Sequence, residues 1–285
     1  MSQILLQVAW DESDVLVLPC LNEATVKQTD VDTFLAASAA AGFKGIEFRI
    51  EPLRSYSALN HSWGEVRQLL NKHGLQSVCL NSFEDFGNVP EDEFEAVLHR
   101  AREFSIVCKE TNTKVFVACP SGTPKSFSKA KALEITSNRL DRIAAVAREY
   151  SINIAFEFVC GRSANTLDDS MTVLKAAKAS NVGLLIDTFH HYVAQSTLVT
   201  LRDFPLERLW LVHFNDTEGA PIDTLTDEMR LLPGRGVIDL FGFSQWLRDR
   251  GWDGWLSVEM FRPEYWKMDP FELARQSMRS LKPYL

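Results

Sequence analysis

Short runs rich in aliphatic and β-branched residues recur along the chain, with amphipathic stretches between them. They are VLVLPCL (15–21), GIEFRI (45–50), SVCLN (77–81), KVFVACP (114–120), NIAFEFV (153–159), VGLLID (182–187), LWLVHF (209–214) and WLSVE (255–259). The sixth shows no polar alternation at all, so it reads as a strand covered on both faces, the mark of a parallel sheet. The intervening segments read as helices. VDTFLAASAAAG with its closing Gly42, EFEAVLHRAREFSIVCKE and ALEITSNRLDRIAAVAREY all repeat apolar residues at three and four spacing. Strand and helix alternating over the whole length argue a parallel sheet, and eight such units argue closure into a (β/α)8 TIM barrel. The sixth unit is the poorest, because STLVTLRDFPLERL leaves room for only a short helix. No linker, low-complexity segment or charge block divides the chain, which predicts one domain over 1–285 with an N-terminal extension at 1–14.

Composition narrows the partners. The chain is 46% hydrophobic and 24% charged, an ordinary globular balance, and no apolar stretch approaches the roughly 20 residues of a membrane span. The opening MSQILLQVAWDESDV lacks a basic leader and a proper apolar region, so no membrane and a cytoplasmic location are expected. The five cysteines are scattered without a CxxC pair, as suits reduced thiols rather than disulfides or a thiolate zinc site. A net charge of −8 offers no footprint for a polyanion, so nucleic acid is excluded and a small polyol or keto-sugar substrate is expected. The sequence leaves the oligomeric state open, a homo-oligomer included.

The polar residues of the eight runs fall at their carboxyl sides, where parallel sheets bind ligands. Asn22 and Glu23 follow the first run, Glu47 and Arg49 end the second, Asn81 ends the third and Glu157 lies in the fifth. Asp187 ends the sixth, His213 lies in the seventh and Glu259 ends the eighth. Carboxylates amid apolar neighbours are almost never buried unless paired or bound to a cation. Glu157, Asp187, His213 and Glu259 converging on a barrel mouth would suit one divalent ion, Mn2+, Co2+, Mg2+ or Zn2+. The alternatives are separate buried salt bridges and, for Asp187, a cap on the following turn.

The stretches CLNEAT, GIEFR, IAFEFVCG, VGLLIDTFHH, VHFNDTEGAPIDTLTDEMRLLPGRGVID and LSVEMFRPEYW resemble the inosose (2-keto-myo-inositol) isomerase family, within the xylose-isomerase-like superfamily of sugar isomerases and epimerases. The resemblance runs from about Leu18 to the C-terminus. It implies a TIM barrel whose ion is held by the same four residues, Glu157, Asp187, His213 and Glu259. It further implies that His190 binds substrate, that His191 is a neighbour without a ligand role, and that Arg230 contacts substrate. Departures are the residues before the first strand and Arg235 within PGRG, which could alter the rim of the pocket.

Isomerising an α-hydroxyketone means removing and returning a proton through an enediolate, which a divalent ion stabilises. Glu157 and Glu259 are expected to carry that proton. His190, Arg230, Arg49, Asn81 and Glu23 are expected to contact the polyol. Tryptophans such as Trp255 and Trp266 suit either a sugar floor or the core. Competing readings are an inosose dehydratase, a ketose 3-epimerase, a non-catalytic metal-binding barrel and an apurinic endonuclease. The last needs a histidine-rich multinuclear zinc site, whereas His61, His73 and His99 lie away from strand ends.

Overall fold

The computed structural model describes residues 17–285; the extension 1–14 and the first two positions of the expected first strand lie outside the described residues. Eight parallel strands form the barrel: β1 (Leu18–Asn22), β2 (Gly45–Arg49), β3 (Gln76–Phe83), β4 (Val115–Ala118), β5 (Asn153–Glu157), β6 (Val182–Asp187), β7 (Leu209–His213) and β10 (Trp255–Val258). They close in the order β1-β10-β7-β6-β5-β4-β3-β2. Around them run α1 (Val31–Ala41), α2 (Ile50–Ala58), α3 (Trp63–His73), α4 (Phe94–Glu110), α5 (Lys129–Glu149), α6 (Leu167–Ala176), α7 (Thr188–Val193), α8 (Leu240–Asp249) and α9 (Pro270–Leu281). The expected (β/α)8 architecture is therefore present. Gly42 closes α1 in the left-handed conformation, φ 96°, that a side chain would resist.

Alternation along each strand decides what faces the lumen. In β5, Ile154 and Phe156 join the large apolar layer under the helices, whereas Ala155 belongs to the small cluster inside the barrel. Side chains two apart share a face, so Glu157 points inward with Ala155. The same parity sends Asp187 inward with Leu185, His213 with Leu211, and Asn22 with Cys20. Small inner residues such as Cys20, Cys79 and Ala155 leave room for this polar layer above them. In β10, Leu256 and Val258 face the helices, so Ser257 and the following Glu259 face the lumen. Polar residues thus collect on the inner wall at one end of the barrel, while the outer wall stays apolar.

Two details differ from the sequence reading. β3 continues to Phe83, so Asn81 lies within the strand rather than ending it. Trp255 begins β10 at the amino end of the barrel, packed over Gly45, and Trp266 donates its indole N–H to Ala24 O at 2.9 Å. Neither floors the cavity at the carboxyl end. The sixth unit is short as expected, with α7 followed by single 3-10 turns at Leu198–Leu201 and Leu206–Arg208. After β7 the chain forms a small antiparallel pair, β8 (Asp216–Thr217) with β9 (Arg230–Leu231), which suspends Arg230 over the barrel mouth. Among the described residues no helix is long and apolar enough to cross a membrane.

Candidate metal centre

Glu157, Asp187, His213 and Glu259 are buried, and each offers one ligand atom within 4.8 Å of the others. His213 Nδ1 lies 3.1 Å from Glu259 Oε2, 3.2 Å from Glu157 Oε1 and 3.6 Å from Asp187 Oδ2. Ligands arranged tetrahedrally around an ion at roughly 2.0–2.2 Å stand about 3.3–3.6 Å apart, so this spacing fits one small divalent cation.

The charge balance points the same way. Glu47, Glu157, Asp187 and Glu259 are all buried, and their buried counter-charges are the guanidinium of Arg230 and the imidazole of His213. Carboxylates remain in excess even with His213 protonated, an expensive arrangement in a low-dielectric interior that a divalent cation relieves. Burial opposes a charge on His213, yet Glu259, Glu47 and Glu157 hold its pKa well above the ordinary histidine value. Burial likewise opposes ionisation of Asp187, but the Arg230 guanidinium holds its carboxyl well below the usual carboxylate range. For Glu157 burial dominates and its pKa is raised.

Each ligand is held by its free atoms. Asp187 Oδ1 caps α7, accepting from the backbone N–H groups of Phe189 at 2.7 Å and His190 at 3.0 Å, while Oδ2 faces the cluster. The cap and the ligand position are thus two oxygens of one side chain. Glu259 Oε1 accepts amide protons from Asn22 at 3.0 Å and Asn81 at 3.3 Å, leaving Oε2 for the cluster. Among the described residues Glu157 Oε2 meets only the weak thiol donor of Cys119, at 3.4 Å.

Above the cluster lies a cavity of about 170 Å3 whose lining includes Arg49, Asn81, Glu157, His190, Arg230 and Glu259. Arg230 donates from Nη1 to Asp187 Oδ2 at 2.6 Å and Glu259 Oε2 at 3.1 Å, and from Nη2 to His190 Nε2 at 3.2 Å. Its guanidinium carbon lies over the rings of Phe189 and Phe261, 4.8 and 5.1 Å from their centroids. His190 is not in the ligand cluster, and among the described residues its Nδ1 has no hydrogen-bond partner. His191 turns instead to the ring of Phe243, and burial lowers its pKa to about 4.

The expected contact residues divide into two groups. Arg49, Asn81, His190 and Arg230 line the cavity; Glu23 lines a larger adjoining hollow of about 520 Å3, which shares Arg49 and Phe261 with it. The larger hollow holds none of the four ligands, so size does not identify the site. Glu23 Oε2 accepts from Arg49 N at 2.8 Å, and burial pushes the Glu23 carboxyl up to about 8. Arg235 hydrogen-bonds Gln276 and does not line the cavity. Sequence alone gives no role to Glu47, Asn22, Cys119 or Phe261. Glu47 and Asn22 were nevertheless detectable, because they occupy inward positions of β2 and β1 by the same alternation that selects Glu157.

Comparison with known proteins places the chain among metal-binding and sugar-converting barrels by similarity. The family described as xylose isomerase-like TIM barrel matches residues 35–284. The chain is 30% identical to an inosose isomerase of Bacillus velezensis over 262 residues, covering 90% of this chain and 92% of that protein. It is 28% identical to a 3-dehydroshikimate dehydratase of Pseudomonas aeruginosa over 250 residues, which is 87% of this chain but 38% of that protein. The crystal structure of IolI protein with a bound zinc atom superposes with a TM-score of 0.88 at 27% identity, covering 94% of this chain and 97% of that one.

Proposed function

The chain belongs to the xylose isomerase-like TIM barrel family, and on that premise we propose that it is a divalent-metal-dependent isomerase of a cyclic polyol ketone, 2-keto-myo-inositol (inosose). The observation that carries the reading is the convergence of Glu157, Asp187, His213 and Glu259 beneath a polar cavity. A relative called inosose isomerase supports the substrate. A divalent ion held by the four residues would polarise the ketone and stabilise the enediolate that proton removal creates.

The protein's own groups supply the rest. Glu157 takes the proton: among the described residues its Oε2 meets only the weak thiol donor of Cys119, so that oxygen is free to accept. Glu259, with Oε1 held by two amides and Oε2 by Arg230, is the more restrained carboxylate; from its side of the ring it relays a solvent proton to the neighbouring carbon, while the proton taken by Glu157 is released to solvent. His190 accepts from Arg230 at Nε2, so its Nδ1 carries the hydrogen and offers a donor to a ring hydroxyl. Arg49 supplies a further donor at the wall, and Asn81, whose amide hydrogens are directed to Glu259 and Glu47, offers its Oδ1 as an acceptor. A cytoplasmic setting suits the free cysteines, of which Cys20, Cys79, Cys108 and Cys119 are buried.

A dehydratase reading is favoured by one observation, the similarity to the dehydroshikimate dehydratase. It begins with the same proton removal and then expels a β-hydroxyl. Incubating the metal-loaded protein with inosose and following the product by proton NMR separates the two. An isomeric inosose with every ring carbon still oxygenated supports the isomerase, whereas a deoxygenated product replaces it with the dehydratase.

A further inference from the structure

We propose that Glu47 is the positioning residue of this centre: from the far side of the His213 ring it fixes the proton on Nε2, so that the Nδ1 lone pair is what the ion meets. The inference rests on the metal-dependent reading above. Glu47 contributes none of the four converging ligand atoms. It reaches across the lumen from β2 and places Oε2 3.0 Å from His213 Nε2.

Its anchoring comes from the strands it crosses. Around the barrel wall, β1 and β10 lie between β2 and β7. Asn22 of β1 donates to Glu47 Oε1 at 2.6 Å, and Ser257 of β10 donates to the same oxygen at 2.9 Å. Register brings these partners level, pairing Asn22 with Glu47 and Ser257 with His213. Asn81 adds a longer contact to Oε2 at 3.5 Å. Amide nitrogens only donate, so they keep Glu47 an acceptor, and an acceptor at 3.0 Å requires the hydrogen on His213 Nε2. A neutral imidazole has one hydrogen, which leaves Nδ1 bare toward Glu157, Asp187 and Glu259. A carboxylate behind a ligating imidazole fixes ring orientation and raises its basicity, and losing such a partner costs roughly 10–100-fold in metal affinity.

The test combines Zn2+ binding with the state of one histidine. In parent protein labelled with 15N-histidine and loaded with Zn2+, long-range proton–nitrogen correlation should show His213 protonated at Nε2 and coordinated at Nδ1. Glu47→Gln keeps the volume but sets an amide group among donors; its Zn2+ dissociation constant, read by competition with a chelating dye, should rise about 10–100-fold. Far-UV circular dichroism of the metal-free variant should match that of the metal-free parent, so that the lost affinity is not a lost fold. Coordination of the parent through Nε2 overturns the proposal even where the variant fails to fold. Zn2+ affinity of Glu47→Gln within twofold of the parent overturns it while leaving the metal reading intact. A parent that takes up no Zn2+ overturns both.

Discussion

Arg230 places Nη1 2.6 Å from Asp187 Oδ2 and Nη2 3.2 Å from His190 Nε2, so one rigid guanidinium joins a ligand of the centre to an imidazole of the cavity wall. Burial opposes its charge, but Asp187, Asp227 and Glu259 more than compensate and keep it cationic. Arg230→Lys preserves the charge and loses the fork, so Asp187 and His190 can no longer be held together. The variant should retain its ion by elemental analysis and lose about 10- to 100-fold in kcat/KM. Near-parental kinetics would mean that charge alone, without the two-pronged contact, is sufficient.

Metal occupancy should follow proton occupancy at His213. We expect about one divalent ion per chain after purification, removable by chelation and restored by Mn2+, Co2+, Mg2+ or Zn2+. In the metal-free protein His213 has a raised pKa, so its protonated form stabilises the fold fully below the ordinary histidine pKa. That contribution is lost as pH rises through the raised folded value. Binding an ion displaces the proton, so affinity should increase with pH across the same window, measured by titration at fixed ionic strength. Affinity that is flat, or falls with pH, would remove His213 from the ligand set.

His190 should separate substrate binding from metal binding. Its Nε2 is occupied by Arg230 and its unpartnered Nδ1 belongs to a residue of the cavity wall. His190→Ala should keep the ion while turnover falls by roughly 10- to 1000-fold, with loss of the hydroxyl-directed contact. Loss of the ion in that variant would show that ligand and substrate contact have been interchanged.

Much of this arrangement is legible in the sequence alone. Eight apolar runs and the helical repeats between them specify the barrel, because strands covered on both faces leave few other architectures. The carboxyl-side residues Glu157, Asp187, His213 and Glu259 stand out because charge is rare in such runs. What the runs conceal is the inner layer behind those residues. Glu47 looked like one more strand-end acid, and only the barrel order reveals that β2 faces β7 across two intervening strands. Glu23 misleads for the opposite reason: it immediately follows a strand end, yet the 3-10 turn Glu23–Val26 carries it into the neighbouring hollow. Asp187 shows that two readings of one residue need not compete, since one oxygen caps α7 and the other faces the centre.

On the proposed mechanism Glu157 removes one proton and Glu259 relays another to the neighbouring carbon, and isotope exchange in D2O tests this most directly. Glu157→Gln and Glu259→Gln, each shown to hold its ion, should both turn over inosose roughly 10²- to 10⁴-fold more slowly than the parent. They should differ in what they leave behind, read by proton NMR of recovered substrate. Glu157→Gln should incorporate no deuterium, because nothing abstracts the first proton. Glu259→Gln should still wash deuterium into the substrate but stall before product. If both Gln variants isomerise inosose at near the parental rate with the ion bound, the two glutamates are ligands only and the proton-transfer mechanism is wrong.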